Sequence, residues 1–445
     1  MDIAKHPLYS DFTDRWRVMR DVVEGEDQVK ERGDEYLPKP DGMSDPAFTA
    51  YKKRAEFPDI VASTIRGMVG LMTEQDLAIE LPKALEGLRE KATKSGVTLN
   101  GLYRRIIREV LIAGRFGLLS DLDSEGNPIL SGYVAEAVMN WDVDADENLS
   151  LVSLNETEQR RSDDNVWGEH GACRELSIVD GVAMYSLIGS IAGRSDGDES
   201  ELVPLSKKGN RPLDFLPFVF IDTNDLTPEP DEVPLYGLAR CAIALYQLSA
   251  DYRKTLFQTS QPQAWISGIS PDDAPKVVGA GVWVLPQNAQ AGYLEFAGAG
   301  AGAQRQAMTD KRLEAVQLGA KLFESTNNSA ESGEALKTRF VSETATLKII
   351  AKTAASGLEK ALKNLAVWLG ANPDEVVVRP HTDWADHSLD PNGINSLVNS
   401  WQSAALPKED MFLKLQQGGI IRPELTFEEY EGALDQEPPL IGEAQ

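Results

Sequence analysis

The sequence predicts an α+β chain, on three observations. Apolar residues recur every three or four positions over Ile60–Met72, Leu102–Leu111, Tyr236–Thr259 and Glu334–Leu369, which is the helical period. Between Arg115 and Ile221 short apolar runs are separated by Gly, Asp, Asn and Pro, the pattern of antiparallel hairpins. A composition 42% apolar and 26% charged supplies real cores and excludes a wholly disordered chain. At 445 residues the chain has room for about two to four domains, or for one elongated multi-part subunit.

The first hundred residues read as helices, interrupted by an irregular stretch at Leu37–Pro46 that holds Pro38, Pro40, Gly42 and Pro46. Ile60, Val61, Ile65, Met68, Val69 and Met72 form one buried helix face, and Leu102, Ile106, Ile107, Val110 and Leu111 another. Strands are expected at Phe116–Asp121, Ile129–Val134, Leu149–Leu154, Glu175–Val179, Val182–Ile188 and Pro217–Ile221, with turns at Ser124–Pro128 and Asp180-Gly181. The acidic, Pro-rich segment Asp222–Pro234 reads as a domain boundary.

Beyond it, Leu238, Cys241, Ala242, Leu245, Leu248, Tyr252 and Leu256 share one helix face. Gln261–Gly302 is rich in Gly and Ala, with strand candidates Ala264–Ile266, Val282–Leu285 and Tyr293–Phe296. Ala303–Ser325 is helical again, and Thr326–Gly333 is a polar loop. Glu334–Leu369 is the longest helix candidate, interrupted in composition only by Gly357. At 1.5 Å per residue it would span on the order of 50 Å, a length suited to a shaft or to packing against neighbouring copies. The tail returns to shorter helices and ends in Gln436–Gln445, which reads as disordered.

Charge narrows the function. With 44 Lys and Arg against 70 Asp and Glu the net charge is −26. A general nucleic-acid-coating protein is thereby disfavoured, because phosphate binding draws on clustered cations. The charge is uneven: Tyr236–Gly370 holds 14 basic and 11 acidic residues, the remainder 30 and 59. On the long helix Lys337, Arg339, Lys348, Lys352, Lys360 and Lys363 face only Glu334, Glu343 and Glu359. Such a face is a solvated helix surface or a contact to a passing polyanion. Two cysteines, Cys173 and Cys241, make no disulfide framework, and a reducing compartment fits best. No apolar run near the N-terminus is long enough for a signal peptide, and none elsewhere reaches the length of a membrane span, so a soluble chain is expected.

Several motifs imitate chemistry. Tyr293-Leu-Glu-Phe-Ala before Gly298, Gly300 and Ala303 resembles a dinucleotide-binding turn, but the acidic residue required about 20 positions later falls in continuous helix near Lys321. Asp142-Val-Asp144-Ala-Asp146 and Asp121-Leu-Asp123-Ser-Glu125-Gly126 start like calcium loops, yet their twelfth positions are Ser153 and Gly132 where a bidentate Glu is needed, so both read as hairpin turns. His381, Asp383 and His387 could ligate a metal but have no fourth His or Cys nearby. No phosphate-binding loop, nucleophile elbow or His-Glu-x-x-His occurs. The usual enzyme signatures are absent, and the residues alone point to no cofactor and no metal.

The order helix, small strand-rich insert, helix, polar loop and very long helix resembles the portal (head-to-tail connector) proteins of tailed bacteriophages. Local text agrees at Ala239-Arg240, at Leu248-Ser249-Ala250-Asp251-Tyr252, and at Gln261-Pro262 with the strand that follows. It agrees again at Val284-Leu285-Pro286, Gly292-Tyr293-Leu294-Glu295-Phe296, Leu318-Gly319-Ala320-Lys321-Leu322 and Ala366-Val367-Trp368-Leu369-Gly370. Tyr51-Lys-Lys-Arg-Ala-Glu-Phe57 and Asn140-Trp141 extend the resemblance over most of the chain.

The resemblance implies an elongated subunit with a mixed α/β wing at 1–235, stem helices at 236–260 and 303–325, and a clip at 261–302. A tunnel loop would occupy 326–334, a long wing helix 335–371, and a helical crown with the C-terminal tail 372–445. It implies a homo-oligomeric ring, usually of twelve copies and with no catalytic site, at one capsid vertex of a virion assembled in the bacterial cytoplasm. Double-stranded DNA would pass through it without sequence specificity, during packaging and ejection. The partners implied are the terminase large subunit, head-completion or adaptor proteins, and the major capsid and scaffold proteins, with no membrane. From their position beside the loop, Lys321, Lys337 and Arg339 are expected nearest the DNA, with Asn327, Asn328 and Ser329 at the loop tip. A mostly acidic channel would let DNA slide while a few cations grip weakly. The alternatives are another self-associating head or scaffold-like protein, and an enzyme working through residues such as Asp142 or His381.

Overall fold

The computed structural model describes residues 4–123, 125–161, 165–189, 202–207, 211–260, 263–270, 284–294, 299–319, 333–384, 391–422 and 424–436. The chain divides into two compact units, one made of Met1–Ser332 with Ser342–Thr382, the other of Gly333–Val341 with Asp383–Gln445.

The first unit begins with α1 (Pro7–Glu24), α2 (Glu26–Glu31), α3 (Asp45–Arg54), α4 (Ile60–Met72) and α5 (Leu99–Ala113). Pro7 sits in the first turn of α1, and the His6 side chain accepts from the Leu8 N–H at 3.2 Å, taking up an otherwise orphan donor. Trp16 of α1, fully buried, donates its Nε1–H to the Ala113 carbonyl at 2.8 Å, satisfying one of the free carbonyls at the end of α5. Helix α5 is capped by Thr98, which accepts from the Gly101 N–H, and ends at Gly114 with φ of 78°. A Cβ at Gly114 would lie 2.9 Å from the Glu232 carbonyl oxygen, so only glycine suits both the backbone and the space.

The strands between are β1 (Ala78–Glu80), β2 (Arg115–Leu122), β3 (Pro128–Val134), β4 (Val138–Val143), β5 (Leu149–Asn155), β6 (Glu158–Arg161) and β7 (Trp167–His170). They continue with β8 (Ala172–Val179), β9 (Val182–Gly189), β10 (Val203–Pro204), β11 (Ser206–Lys207), β12 (Arg211–Pro212) and β13 (Phe218–Asp222). One sheet has the order β13-β2-β3 and a second the order β10-β9-β8-β5-β4; β6 with β7 and β11 with β12 are separate ribbons. These pairings are antiparallel, as the hairpin spacing predicts. Strand β4 has no counterpart among the expected strands, because two register shifts against β5 break its alternation.

Both calcium-like loops are hairpin turns. The Asp123 carboxylate accepts from the Glu125 and Asn127 N–H groups at 2.9 and 2.8 Å, and Asp144 accepts from those of Asp146 and Asn148 at 2.9 Å. These bonds turn the chain and hold each carboxyl below its usual range. Arg174 on β8 bridges the sheets, bonding Asp121 on β2 at 2.7 Å and Glu156 at 3.0 Å.

The segment Asp222–Pro234 is folded structure within the first unit. Asp222 is fully buried against Arg115, and Val233 and Leu235 are buried as well. Asp231 accepts from Thr223 Oγ1 at 2.6 Å and from the Asn224 N–H at 2.9 Å. Asp222 and Asp231 are thus taken up in structure that composition alone reads as a linker.

After it come α6 (Tyr236–Thr259), β14 (Gln263–Ser267), β15 (Gln290–Leu294), α7 (Ala299–Gln317), α8 (Gly333–Leu369) and β16 (Val377–Arg379), the last pairing with β1. Helix α8 is not a free shaft. From Leu347 onward it is core: Ile350, Ala351, Ala354, Ala355, Leu358, Ala361, Leu362, Leu365 and Ala366 are 1% exposed or less. Tyr103 of α5 donates to the Ala351 carbonyl at 3.1 Å, and Ser120 of β2 to that of Ala361 at 2.8 Å. Any side chain at Gly357 would overlap Ile221 of β13. Small residues on several faces let α5 and the three-stranded sheet approach closely, so most of the helix beyond Leu347 is packed within the chain.

The second unit contains α9 (Pro391–Gln402), α10 (Lys408–Gln417) and α11 (Phe427–Gln436). Phe412 packs its ring on Phe427 and Tyr430 at centroid distances of 5.5 and 5.0 Å. The expected disordered tail, Gln436–Gln445, lies outside the described residues after Gln436. Among the described residues no helix is long and apolar enough to cross a membrane.

Candidate functional site

Helices α6 and α7 run antiparallel and carry a ribbon between them. Gly237 lies beside Leu318, and the Cys241 thiol is 3.2 Å from the Lys311 carbonyl oxygen, which fixes the direction. The ribbon pairs Gln263 with Leu294 and Ser267 with Gln290. At 1.5 Å per residue α6 extends about 36 Å.

The two ends of α6 differ. Leu238, Ala239, Cys241, Ala242, Leu245, Tyr246, Ser249 and Ala250 are buried, and no residue from Asp251 to Thr259 is. The junction is fastened by Tyr51, whose hydroxyl donates to Asp251 at 2.6 Å, by the Glu56 N–H on Ser249 Oγ at 2.9 Å, and by an Arg253–Glu56 ion pair. Beyond it the arm presents large apolar side chains to solvent, with Phe257 62% exposed, Trp265 41% and Tyr293 60%; on α7, level with the buried half of α6, Leu313 is 58% exposed. Arg54 lies 3.7 Å over the Phe257 ring and covers one face of it. Only Ala315 is buried among the described side chains of α7. The helices α6 and α7 hold six basic residues, Arg240, Arg253, Lys254, Arg305, Lys311 and Arg312, against Asp251, Asp310 and Glu314.

Cys173 and Cys241 are both free and buried, and burial raises each thiol above its ordinary value. The dinucleotide-like turn fails on topology as well as spacing, since β15 pairs antiparallel with β14. Val284 and Leu285 are irregular, while Val282, Trp283, Glu295 and Phe296 lie outside the described residues. So do Lys321, Asn327, Asn328 and Ser329. Lys337 and Arg339 fall in the first turns of α8, within the stretch assigned to the second unit. His387 also lies outside the described residues, and among those described no group of three His, Cys, Asp or Glu could hold a metal.

One buried constellation has no sequence motif. Arg115 and Asp222 are 1% and 0% exposed, with Arg115 Nε 3.1 Å from Asp222 Oδ1. The guanidinium lies 4.7 Å from the Trp141 ring and 4.5 Å from that of Phe220, and His6 stacks on Trp141 at 4.1 Å. Burial pushes the Asp222 carboxyl up against the pull of Arg115; burial and the Arg115 charge push the His6 imidazole down. Every member packs against another, and the cluster is a structural tie between the N-terminus, β4 and the three-stranded sheet.

A family model described as a domain of unknown function (DUF4055) matches residues 234–369, from just before α6 to the last residue of α8. No curated protein matches the chain. Among solved structures, the chain is similar to one in the virion of a native gene transfer agent (GTA) particle. That pair is 12% identical with a TM-score of 0.43, over 88% of this chain and 99% of the other. A chain in the neck of the native GTA particle, computed with C12 symmetry, gives 12% and 0.43 over 80% and 89%. One in the neck of the empty GTA particle, computed with C6 symmetry, gives 12% and 0.44 over 81% and 90%.

Proposed function

We propose that the chain is a structural, non-enzymatic subunit of a tailed-phage-type head, and specifically the portal: a ring of about a dozen copies at one capsid vertex that passes double-stranded DNA. The observation that supports this reading most is the arm of α6, ribbon and α7, which projects large apolar side chains from a folded base. Soluble proteins bury such side chains where they can, and an arm this exposed is completed by contact with other copies. The arm precedes the 37-residue helix α8 in the chain, part of the order on which the portal resemblance rests. Terminase and head-completion proteins would dock at the ribbon end.

In this reading Lys321, Asn327, Asn328, Ser329, Lys337 and Arg339 approach the DNA. The surplus of acidic residues elsewhere, 59 against 30 basic, keeps a translocating polyanion from being held along the whole channel. Negative-stain electron microscopy of the purified full chain tests the reading: rings with a central hole are expected, and discrete small particles without one would reject it. Lys337→Glu combined with Arg339→Glu tests the DNA contacts, with shortened or poorly retained packaged DNA expected; full-length, stably retained DNA would remove that assignment.

A further inference from the structure

The solvent side of α8 beyond Leu347 is a narrow strip. Ile349, Lys352, Ser356 and Lys360 are exposed, at spacings of three, four and four that keep them on one line of a helix. The rest of that stretch is core, with Ile350, Ala351, Ala354, Ala355 and Leu358 at 1% exposure or less, so the strip is held rigidly. Lys363, one turn further, is bonded to Glu359 at 2.6 Å. Lys352 and Lys360 have no ion pair among the described residues, in a chain with 70 acidic residues against 44 basic.

Lys360 also lines a groove of about 520 Å³ together with Asp144, Glu147 and Asp214. The face is therefore of mixed sign: Lys360, at one end of the strip, stands beside a set of carboxylates, and Lys352 lies two turns away along the same line. A uniform polyanion would gain from the lysines and be repelled by the carboxylates of the same groove. A protein surface carrying both signs can answer each. Every copy of this chain offers one, with carboxylates in large excess outside residues 236–370.

We infer that the strip Ile349, Lys352, Ser356 and Lys360 is a contact face for a second copy of this chain, with the two lysines pairing with carboxylates of the neighbour and Ile349 buried against it. The inference rests on the ring reading and adds a second face to the apolar arm. Because the pairs form between copies, they respond to salt and to charge reversal, while the fold of each copy does not depend on them.

The test is mass photometry of the full chain at about 50 mM and about 500 mM salt, which brackets weak and strong screening. Wild type is compared with Lys352→Glu plus Lys360→Glu and with Lys352→Gln plus Lys360→Gln. The reversal is expected to raise the concentration for half-assembly at least about tenfold at low salt, with a smaller gap at high salt and the neutral pair in between. Diluted below the assembly concentration, all three should melt alike, as the positions are exposed. Assembly of both variants at the wild-type concentration at both salts would overturn the inference and leave the ring reading standing. Loss of binding to a short DNA duplex with assembly unchanged would overturn it too, making the strip a nucleic-acid contact. A wild-type chain that stays monomeric throughout would overturn the ring reading itself, and the inference with it.

Discussion

Helix α8 beyond Leu347 and the arm formed by α6, its ribbon and α7 belong to the same unit, and both are rich in apolar residues. Their surroundings are opposite. In α8 the apolar positions are mostly Ala and Leu spread around the helix, and α5 and the three-stranded sheet close on it to hydrogen-bond distance at Ala351 and Ala361. In the arm the apolar positions include Phe257, Trp265, Tyr293 and Leu313, which stand in solvent. Small residues invite neighbours of the same chain to approach; large ones left uncovered call for neighbours from another. Apolar content alone does not distinguish the two cases, and residue size with burial does.

The contrast can be broken first where the core is most demanding. Arg115→Leu leaves the Asp222 carboxylate buried without its partner, beside the Ile221 that packs on α8. A loss of about 3–5 kcal/mol is expected in denaturant unfolding, with much of the soluble chain lost. A smaller effect is expected from Leu358→Ala, which removes a fully buried side chain of α8 and should cost about 2–5 kcal/mol by cavity formation. An unchanged midpoint for Leu358→Ala would mean that α8 is not core, and one for Arg115→Leu that the Asp222 pair does not hold the sheet.

Asp21 probes a third part of the same unit. Burial alone would raise its carboxyl, but hydrogen bonds from Arg32, Tyr36 and Gln28 outweigh burial and hold it below the usual range. The folded value lies below the unfolded one, about 3.9, so this stabilisation is present above about pH 4 and is lost as pH falls through the folded value. Asp21→Asn should therefore lower stability at pH 7 and flatten the acid limb of a melting-temperature profile; a parallel profile would refute the assignment. The smallest effect on folding belongs to the arm. Phe257→Ser with Leu313→Ser should change unfolding free energy by less than about 0.5 kcal/mol while weakening assembly sharply, measured by sedimentation velocity.

Much of this was legible in residue order. The helix expected at 236–259 is Tyr236–Thr259, and the one expected at 334–369 begins a single residue earlier, at Gly333. All six strands expected between Arg115 and Ile221 have counterparts, since their alternation is regular where their register is regular. What escaped the sequence was tertiary in origin. Strand β4 is bulged, so its alternation is broken. Asp222 looked like a linker residue because its partner, Arg115, is 107 positions away. The long helix reads as a shaft or as a face for neighbouring copies because periodicity reports that a face is apolar but not which chain covers it. Lys352 and Lys360 were visible as charges on α8, and only the burial of their neighbours sets them on a rigid strip. The exposure of Phe257 and Trp265 has no local signal, because the same residues in the same period would serve equally well inside a core.

The most direct test is hydrogen–deuterium exchange on the assembled full chain and on the chain diluted below its assembly concentration. The account predicts that amides of α6 beyond Ala250, of the ribbon and of α7 gain protection on assembly, while those of α8 from Ala351 to Ala366 are protected equally in both states. An arm whose exchange is the same in both states, or an α8 that becomes protected only on assembly, would contradict it.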